Sequence, residues 1–397
     1  MNILYDDNMP YAQQYFGSLN ANSSGVVKSF TPNQIDDKDL LNCDALLVRS
    51  TTTVDAELIA KAPNLKYVAT ATAGFNHLDL QALEAANVSW YSAGGCNARA
   101  VAEYVISALL LLAERQDFCL ADRSVALVGV GNVGKALSNL LSCLGIHVIE
   151  YDPPRASTDR AFVSASFEQV LAADIISLHV PFVAHGQYRT GHMFDSNILA
   201  KLNNTQILIN ASRGEVIDNQ ALLEGFIHRK ATMPTVCLDC WENEPTIERA
   251  LIEHLALCTA HIAGHSLEGK ARGTDMVYQD LCRFFSYNIE YQLSDFLPEY
   301  HFDHSQQFFS ENSKDMQANK LAIESIVRNI TKCVYDIEND DSFFRRYMAK
   351  SPSFSAIRQN YPVRREWPAA QINLNNNKAT QVLNKLGFIL ANDSEAK

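Results

Sequence analysis

Three charged residues follow short apolar runs in the chain, and their types suit proton and carboxylate chemistry. Arg213 lies in the stretch INASRG, Glu244 in DCWENEP and His261 in TAHIAG. An open parallel sheet binds its ligands at the carboxyl ends of its strands. If each apolar run is such a strand, we expect the three side chains to meet at one edge of a sheet.

The chemistry that these residue types favour is oxidation of a hydroxy acid. Histidine side chains as a class titrate close to neutral pH, so His261 could take the proton of an alcohol. A carboxylate such as Glu244 beside it would orient the imidazole and favour its charged form. The planar guanidinium of Arg213 suits a substrate carboxylate. Taken singly, the three residues could be a surface ion, a solvated loop charge and a core histidine, but their order along one domain favours the catalytic interpretation.

A glycine-rich turn, VGVGNVG, comes before these residues, between a predicted strand and a predicted helix. Gly129 permits the tight turn, and Gly131 lets the backbone approach a pyrophosphate. Gly134 lets the helix pack closely on the strand, and Asn132 and Val133 begin the helix whose N-terminus would face the phosphates. The pattern predicts a dinucleotide site, and the alternative is a turn that binds nothing.

The choice of dinucleotide depends on Asp152, at the end of the next predicted strand. A carboxylate there can accept hydrogen bonds from the ribose hydroxyls and would repel a 2′-phosphate. We therefore predict NAD rather than NADP. Arg155 lies nearby and could soften that preference.

Two series of alternating strands and helices must position these residues, which indicates an α/β fold with mostly parallel sheets. Between the two series, Asn97–Arg115 is predicted as one long helix, apolar on most sides and therefore buried. The first series has predicted strands Ile3–Tyr5, Ala45–Arg49, Tyr67–Thr72 and Val88–Tyr91, with helices Asp55–Ala62 and Leu78–Ala86. The second has predicted strands Val125–Val128, His147–Tyr151, Ile175–His179, Gln206–Asn210, Thr235–Leu238 and Leu257–Thr259, with helices Asn132–Leu144 and Asn219–Arg229.

We expect two Rossmann-like doubly wound domains with a cleft between them, plus a C-terminal α/β dimerisation domain. Residues 1–96 and 266–298 would form a discontinuous substrate-binding domain, residues 97–265 the NAD-binding domain and residues 299–397 the dimerisation domain. The last segment has a predicted helix near Asn319–Tyr335 and a predicted helix and strand ending at Thr380–Leu390. This segment can form only a small core of its own, so burial against a second copy of the chain would stabilise it. Closed dimers are also the commonest oligomers. Its apolar residues include Phe308, Phe309, Ile323, Ile326, Val334, Phe343, Phe344, Tyr347, Tyr361 and Trp367.

Composition excludes several partners. The net charge of −12 argues against nucleic acid and anionic membranes, because both attract basic surfaces. The longest apolar run, Val105–Ala113, is too short to cross a bilayer. The 9 cysteines are scattered and odd in number, which favours a reducing cytoplasm over a disulfide framework. We interpret Cys237 and Cys240 as buried thiols and predict no metal site.

With these motifs in place, the chain resembles the D-isomer-specific 2-hydroxyacid dehydrogenases. The resemblance rests on VGVGNVG, NASRG with VIDNQAL, LDCWENEP and TAHIAG, and within the family also on ILYDDNMPYA, LLVRSTT, TATAGFNHLD and NYPVRREW. It implies that the catalytic set is Arg213, Glu244 and His261. It also implies the NAD-dependent oxidation of a small phosphorylated 2-hydroxy acid, 4-phospho-D-erythronate, in the synthesis of pyridoxal 5′-phosphate, by a cytoplasmic homodimer.

The resemblance further implies binding residues. The cofactor contacts would be Asp152, Ala211, Ser212, Arg213, Asp239 and Gly264, and the substrate contacts Ser50 and Thr72. Arg49, at a predicted strand end, is a candidate phosphate or carboxylate ligand, although it could equally be a surface ion. The family pattern has a tyrosine after HIAG, whereas this chain has His265, so the pose of the phosphate end is open.

Two other functions fit the same motifs. A sibling dehydrogenase of the 3-phosphoglycerate or glyoxylate type shares the catalytic trio, although the C-terminal domain and the LLVRS motif argue against it. A non-enzymatic NAD-sensing protein would share the fold. The intact trio and the acidic charge count against that alternative.

Overall fold

The fold is given by a computed structural model that describes residues 1–20, 25–300, 316–350, 353–372 and 377–390. The chain divides into two compact units, Met1–Asn97 with Ser266–Glu299, and Ala98–His265 with Tyr300–Lys397. The C-terminal residues thus share a unit with the segment expected to bind NAD. The division into three domains with the boundaries given above stays a prediction.

The first unit is built on a five-stranded parallel sheet in the order β2-β1-β3-β4-β5. β1, β3 and β4 are buried along their whole length, and three of the helices begin at aspartates whose side chains accept backbone hydrogen bonds. The elements are β1 Ile3–Asp6, α1 Ala12–Gly17, β2 Val27–Phe30, α2 Asp37–Leu40, β3 Ala45–Val48, α3 Ala56–Ala60, β4 Tyr67–Thr70, α4 Leu80–Ala85 and β5 Ser89–Ser92.

The second unit contains a six-stranded parallel sheet in the order β11-β10-β9-β8-β6-β7. The order reverses after β6, as in a doubly wound fold. The elements are α5 Ala98–Arg115, β6 Ser124–Val128, α6 Asn132–Cys143, β7 His147–Tyr151, α7 Pro153–Thr158, α8 Phe167–Ala172, β8 Ile175–Leu178, α9 Ser196–Leu199, β9 Ile207–Asn210, α10 Asn219–Arg229, β10 Thr235–Leu238 and β11 Leu257–Cys258. The chain then returns to the first unit as α11, Leu267–Phe285.

The C-terminal part of the second unit is mostly helical. Its α12 and α13 pack on α5, and α13 also contacts β11. Ile326, Phe344 and Trp367 are buried in the same hydrophobic core as α5, so part of the apolar surface of this segment is covered by its own chain. Phe308 and Phe309 lie outside the described residues. The elements are α12 Met316–Val334, α13 Ile337–Lys350, α14 Phe354–Gln359, β12 Gln371–Ile372, α15 Asn377–Lys385 and β13 Ile389–Leu390.

The predicted alternation of strands and helices is confirmed, and α5 is buried as its apolar composition predicts. Its residues from Val101 to Ala113 are all buried. The sequence missed β2, which is short and mostly exposed, and it missed α13 and α14. None of the helices in the described ranges combines the length and the apolar character that a bilayer crossing requires.

Candidate active site

The residues of the predicted trio follow three neighbouring strands. Arg213 comes after β9, Glu244 after β10 and His261 after β11, and these strands lie side by side in the parallel sheet. The carboxyl ends of parallel strands share one edge, so the fold gathers the three segments there.

Glu244 and His261 form a hydrogen-bonded pair. His261 Nδ1 lies 2.8 Å from Glu244 Oε2, and Glu244 Oε1 accepts a hydrogen bond of 2.9 Å from the Trp241 N–H. Burial alone would raise the pKa of the Glu244 carboxyl, but the His261 hydrogen bond and charge, the Trp241 N–H and the Arg358 charge together hold that pKa below its usual range. An ionised Glu244 accepts from Nδ1–H, which leaves Nε2 of His261 as the proton acceptor.

The backbone at His261 is held in an unusual conformation. Its φ is 55°, in the left-handed region that non-glycine residues rarely adopt. The buried Asp239 carboxylate accepts hydrogen bonds from the Ile262 N–H at 2.7 Å and the Ala263 N–H at 3.0 Å, and the His261 N–H donates to the Asp239 carbonyl at 2.7 Å. Asp239, expected as a cofactor contact, thus holds the loop that carries His261. A contact with NAD stays a prediction.

Arg213 is placed by a separate set of contacts. Ser212 donates to the Asn210 side chain through its N–H and its hydroxyl, and the Asn210 amide donates to the Arg213 carbonyl at 2.9 Å. Gly214 packs against the Trp241–Glu242 peptide so tightly that a Cβ at Gly214 would stand 1.9 Å from the Trp241 carbonyl carbon. The loop that carries Arg213 therefore packs directly against the loop that carries Glu244.

Cys240 lies among the charged groups of this site. Its sulfur contacts the Ser212 carbonyl oxygen at 3.4 Å. Burial first, and then the charges of Asp239 and Glu244, raise the pKa of the Cys240 thiol far above its ordinary value. Although Cys240, Glu244 and His261 lie close enough to share a metal ion, a thiol that stays protonated is a poor ligand. The geometry favours the hydrogen-bonded pair.

The glycine turn fits a dinucleotide. Gly129 has a φ of 92°, and a Cβ on Gly134 would stand 2.2 Å from the Gly129 carbonyl oxygen, so both positions need glycine. A Cβ on Gly131 would meet nothing within 4 Å, because this exposed residue opens to the outside of the turn. Asn132 and Val133 begin α6 beside that open space. The turn thus leaves room at the N-terminus of a 12-residue helix, where a pyrophosphate binds favourably.

Asp152 lies beside this turn. Its carboxylate accepts hydrogen bonds from the Val130 N–H at 2.8 Å and the Arg155 N–H at 3.0 Å, which fixes its position at the end of β7. The Arg155 guanidinium forms an ion pair with Asp159 and stacks on the Phe162 ring at 4.0 Å. The positive charge that could have favoured a 2′-phosphate is therefore already paired.

The first unit places the expected substrate residues at one edge of its own sheet. Arg49 and the exposed Ser50 follow β3, and Thr72 follows the neighbouring β4, where its hydroxyl donates to the Gly74 carbonyl at 2.9 Å. Burial lowers the pKa of the Arg49 guanidinium, although the nearby Asp6 charge opposes this. Nη1 of Arg49 is buried without a hydrogen-bond partner among the described residues. A half-buried guanidinium with one buried, unpaired nitrogen suits an anionic ligand.

The chain is similar to known proteins over nearly its full length. A family model described as "D-isomer specific 2-hydroxyacid dehydrogenase, NAD binding domain" matches residues 113–263. The chain is 42% identical to an erythronate-4-phosphate dehydrogenase of Pseudoalteromonas atlantica, with 98% of this chain and 99% of the relative covered. It is 41% identical to the enzyme of that name from Proteus mirabilis, with 98% and 99% covered. The chain belongs to the erythronate-4-phosphate dehydrogenase family. Its cofactor is NAD.

Solved structures share the fold at lower identity. An NAD-bound 3-phosphoglycerate dehydrogenase of Entamoeba histolytica matches with a TM-score of 0.60 and 20% identity, covering 75% of this chain and 99% of that one. A D-lactate dehydrogenase of Aquifex aeolicus with NAD and lactic acid matches with a TM-score of 0.57 and 20% identity, covering 72% and 96%. A second family model, described as a domain of unknown function, matches residues 310–387 of this chain.

Sequence reasoning missed some residues of the site. The side chain of Asn210 and the thiol of Cys240 lie inside motifs that were identified, so their spacing could have indicated them. Arg358 of α14 lies 3.9 Å from Glu244 through Nη1, and no motif pointed to it. His265 lies beside the ring of Tyr361, with the ring centroids 5.9 Å apart.

Proposed function

We propose that the protein oxidises 4-phospho-D-erythronate to 2-oxo-3-hydroxy-4-phosphobutanoate with reduction of NAD⁺, as the name of its relatives indicates. The observation that carries the proposal is the hydrogen bond between His261 and Glu244 at the carboxyl edge of the NAD-binding sheet. Supply of the product to pyridoxal 5′-phosphate synthesis is part of the proposal.

The proposed roles follow from the geometry. The free Nε2 of His261 takes the proton of the substrate 2-hydroxyl, while Glu244 orients the ring and stabilises the charge that it gains. Bound NAD⁺ supplies the acceptor for the hydride that leaves C2. The guanidinium of Arg213 anchors the adjacent carboxylate in a bidentate contact.

For cofactor contacts, we propose Gly129, Gly131, Asn132, Val133, Gly134, Asp152, Ala211, Ser212, Arg213, Asp239 and Gly264. The open backbone at Gly131 supports the pyrophosphate contact. For substrate contacts, we propose Arg49, Ser50, Thr72 and His265. The buried Nη1 of Arg49, which no group in the described part of the chain pairs, supports an anion contact in the first unit. An imidazole at position 265 can donate a hydrogen bond to a phosphate and, unlike the family tyrosine, can become cationic.

NADH formation with 4-phospho-D-erythronate, compared with 3-phosphoglycerate and glycolate at equal concentrations, tests the function. We expect kcat/KM to be at least about 10²-fold higher for 4-phospho-D-erythronate, because a site that pairs polar substrate groups rejects analogues that leave them unpaired. A higher kcat/KM for 3-phosphoglycerate or glycolate would assign a sibling activity. Tight NAD binding without turnover of any acid would favour a sensor.

We also propose a homodimer in a reducing cytoplasm. The free state of all 9 cysteines supports that compartment. In the C-terminal segment, Leu321 is 46% exposed and Phe343 is 45% exposed, and such apolar surface is available to a second copy.

Light scattering on the full chain at micromolar concentration checks the dimer. We expect twice the chain mass for the wild type and a shift towards monomer for the double variant L321E/F343E, because two buried charges without partners destabilise an interface. The control is V163E, at a position that is 85% exposed in the NAD-binding segment. A monomeric wild type, or a double variant that stays fully dimeric, would contradict the proposal.

A further inference from the structure

The C-terminal segment from Ser353 to Trp367 packs against the loop that carries His261, within the same unit. The buried Arg364 donates to the Ala263 carbonyl at 2.6 Å and to the Ala100 carbonyl at 3.1 Å, so its guanidinium joins that loop to α5. Tyr361 lies beside the His265 ring, and its hydroxyl donates to Asp340 at 2.6 Å. The loop of the candidate base is thus supported from the C-terminal side.

One cation of this segment reaches the catalytic pair. Nη1 of Arg358 lies 3.9 Å from Oε2 of Glu244, the same oxygen that accepts the His261 Nδ1 hydrogen bond. The other oxygen of Glu244 accepts from the Trp241 N–H. The carboxylate therefore has a contact on each side, and Arg358 supplies a charge on the side of the imidazole.

Arg358 is held there by packing. Its helix α14 is capped by Ser353, whose hydroxyl accepts a hydrogen bond from the Ala356 N–H, and it buries Phe354 and Ile357. Phe354 meets the Phe344 ring edge-on with centroids 6.2 Å apart, and Phe344 packs on Trp241 with centroids 5.6 Å apart. A continuous apolar contact thus connects α14 to the residue whose N–H holds Glu244.

Within the described part of the chain, Glu244 is the only carboxylate within 4.0 Å of Arg358. Nε of Arg358 is buried and has no hydrogen-bond partner among the described residues. The side chain is 34% exposed, so solvent screens its charge only in part. Arg358 is partly desolvated and lies near this single carboxylate. We therefore interpret it as a partner of Glu244 and not as a member of a surface ion-pair network.

We propose that Arg358 is a positioning residue for the Glu244–His261 pair, so that the C-terminal segment, matched by a domain of unknown function, takes part in catalysis as well as in any association of chains. The inference rests on the proposed function. Arg358 keeps Glu244 ionised and correctly oriented, and its positive charge opposes a proton on the resting pair. For an oxidation, this keeps the base free to accept the hydroxyl proton.

The charged and titratable groups that face the pair come from several elements. Cys240 lies close to both members of the pair, Asp239 precedes it in the loop after β10, and Arg213 comes from the loop after β9, where its charge acts on the Cys240 thiol. Arg358 is the charge that α14 contributes. Because the other groups remain in place when Arg358 is replaced, a change in pH dependence reports the loss of this one charge.

The test compares R358Q, which removes the charge, with R358K, which keeps it. The matched control is R346Q, because Arg346 is an exposed arginine on α13 of the same segment. We expect R358Q to lower kcat on the order of tenfold with little change in KM for NAD⁺, as for partners that orient a reacting group. The acid limb of kcat/KM should move up by about one pH unit, because the pair then holds its proton more tightly. R358K should restore most of the wild-type kcat and most of the wild-type acid limb. R346Q should match the wild type in both quantities.

A second readout does not need turnover. In protein labelled at the glutamate carboxyl carbon, the Glu244 NMR signal, assigned with the E244Q variant, should titrate at a higher pH in R358Q than in the wild type or R358K, because the Arg358 charge helps to lower the pKa of that carboxyl. Equal midpoints and equal pH profiles in correctly folded R358Q would overturn the inference. If no hydroxy acid is oxidised but the midpoint still moves, Arg358 tunes the pair and the proposed function alone falls.

Discussion

Replacing His261 with asparagine is expected to lower kcat by about 10²- to 10⁴-fold, the range that general-base assistance supplies. Asparagine keeps a hydrogen-bonding group near Glu244 but cannot accept the hydroxyl proton at neutral pH. NAD binding should survive, because the turn around Gly131 is untouched. Steady-state NADH formation together with calorimetric titration of NAD⁺ measures both quantities.

The matched control is H228N, at an exposed histidine in the last turn of α10. This variant should keep wild-type activity, because its imidazole is remote from the strand ends after β9, β10 and β11. If H261N retains more than about a tenth of the wild-type rate at neutral pH, the base is another group.

Replacing Gly214 with alanine is expected to have the second largest effect, through geometry rather than chemistry. The added Cβ would stand 1.9 Å from the Trp241 carbonyl carbon and 2.3 Å from the Glu242 nitrogen, so one of two loops must move. Those loops carry Arg213 and Glu244. A displacement of about 1 Å can cost a factor of about 10² in rate, and overpacking typically costs about 1–3 kcal/mol of the free energy of unfolding.

Thermal unfolding and NADH formation on G214A separate these two effects. The control is G17A, at the end of α1, where the new Cβ would meet only the flexible end of Gln13 at 3.0 Å. We expect G17A to keep both the unfolding temperature and the rate. A G214A protein with the stability and rate of the wild type would mean that the two loops are not mechanically joined.

The sequence predicted the fold well where a local pattern and burial agree. The strands β6, β8, β9, β10 and β11 are fully or largely buried apolar runs, and such runs alternate with helices in a parallel sheet. β2 was missed because only one of its four residues is buried, so its sequence lacks a strand pattern. α13 was missed because its charged residues dilute the apolar face that packs on α5 and β11.

The site was predictable to the extent that it lies inside motifs. Position at the end of a parallel strand can be predicted from the local sequence, so Arg213, Glu244 and His261 could be identified as candidates. The glycine turn and Asp152 could be identified in the same way. The roles of these residues are proposals, and H261N tests the role of His261. The hydrogen bonds of Asp239 to Ile262 and Ala263 had no sequence signal, because they depend on how one loop folds over another.

By itself, the sequence determined the α/β class, the dinucleotide turn and the residue types that can carry out the chemistry. Each of these depends on the spacing of residues that lie close together in the chain. Only the tertiary structure decided that Glu244 and His261 share a hydrogen bond. It also decided that Gly214 packs against the Trp241 backbone and that the C-terminal part of the chain packs on α5. It also decided that Arg358 stands beside Glu244. Contacts between residues far apart in the chain depend on the packing of whole elements, and no local pattern of residues encodes that packing.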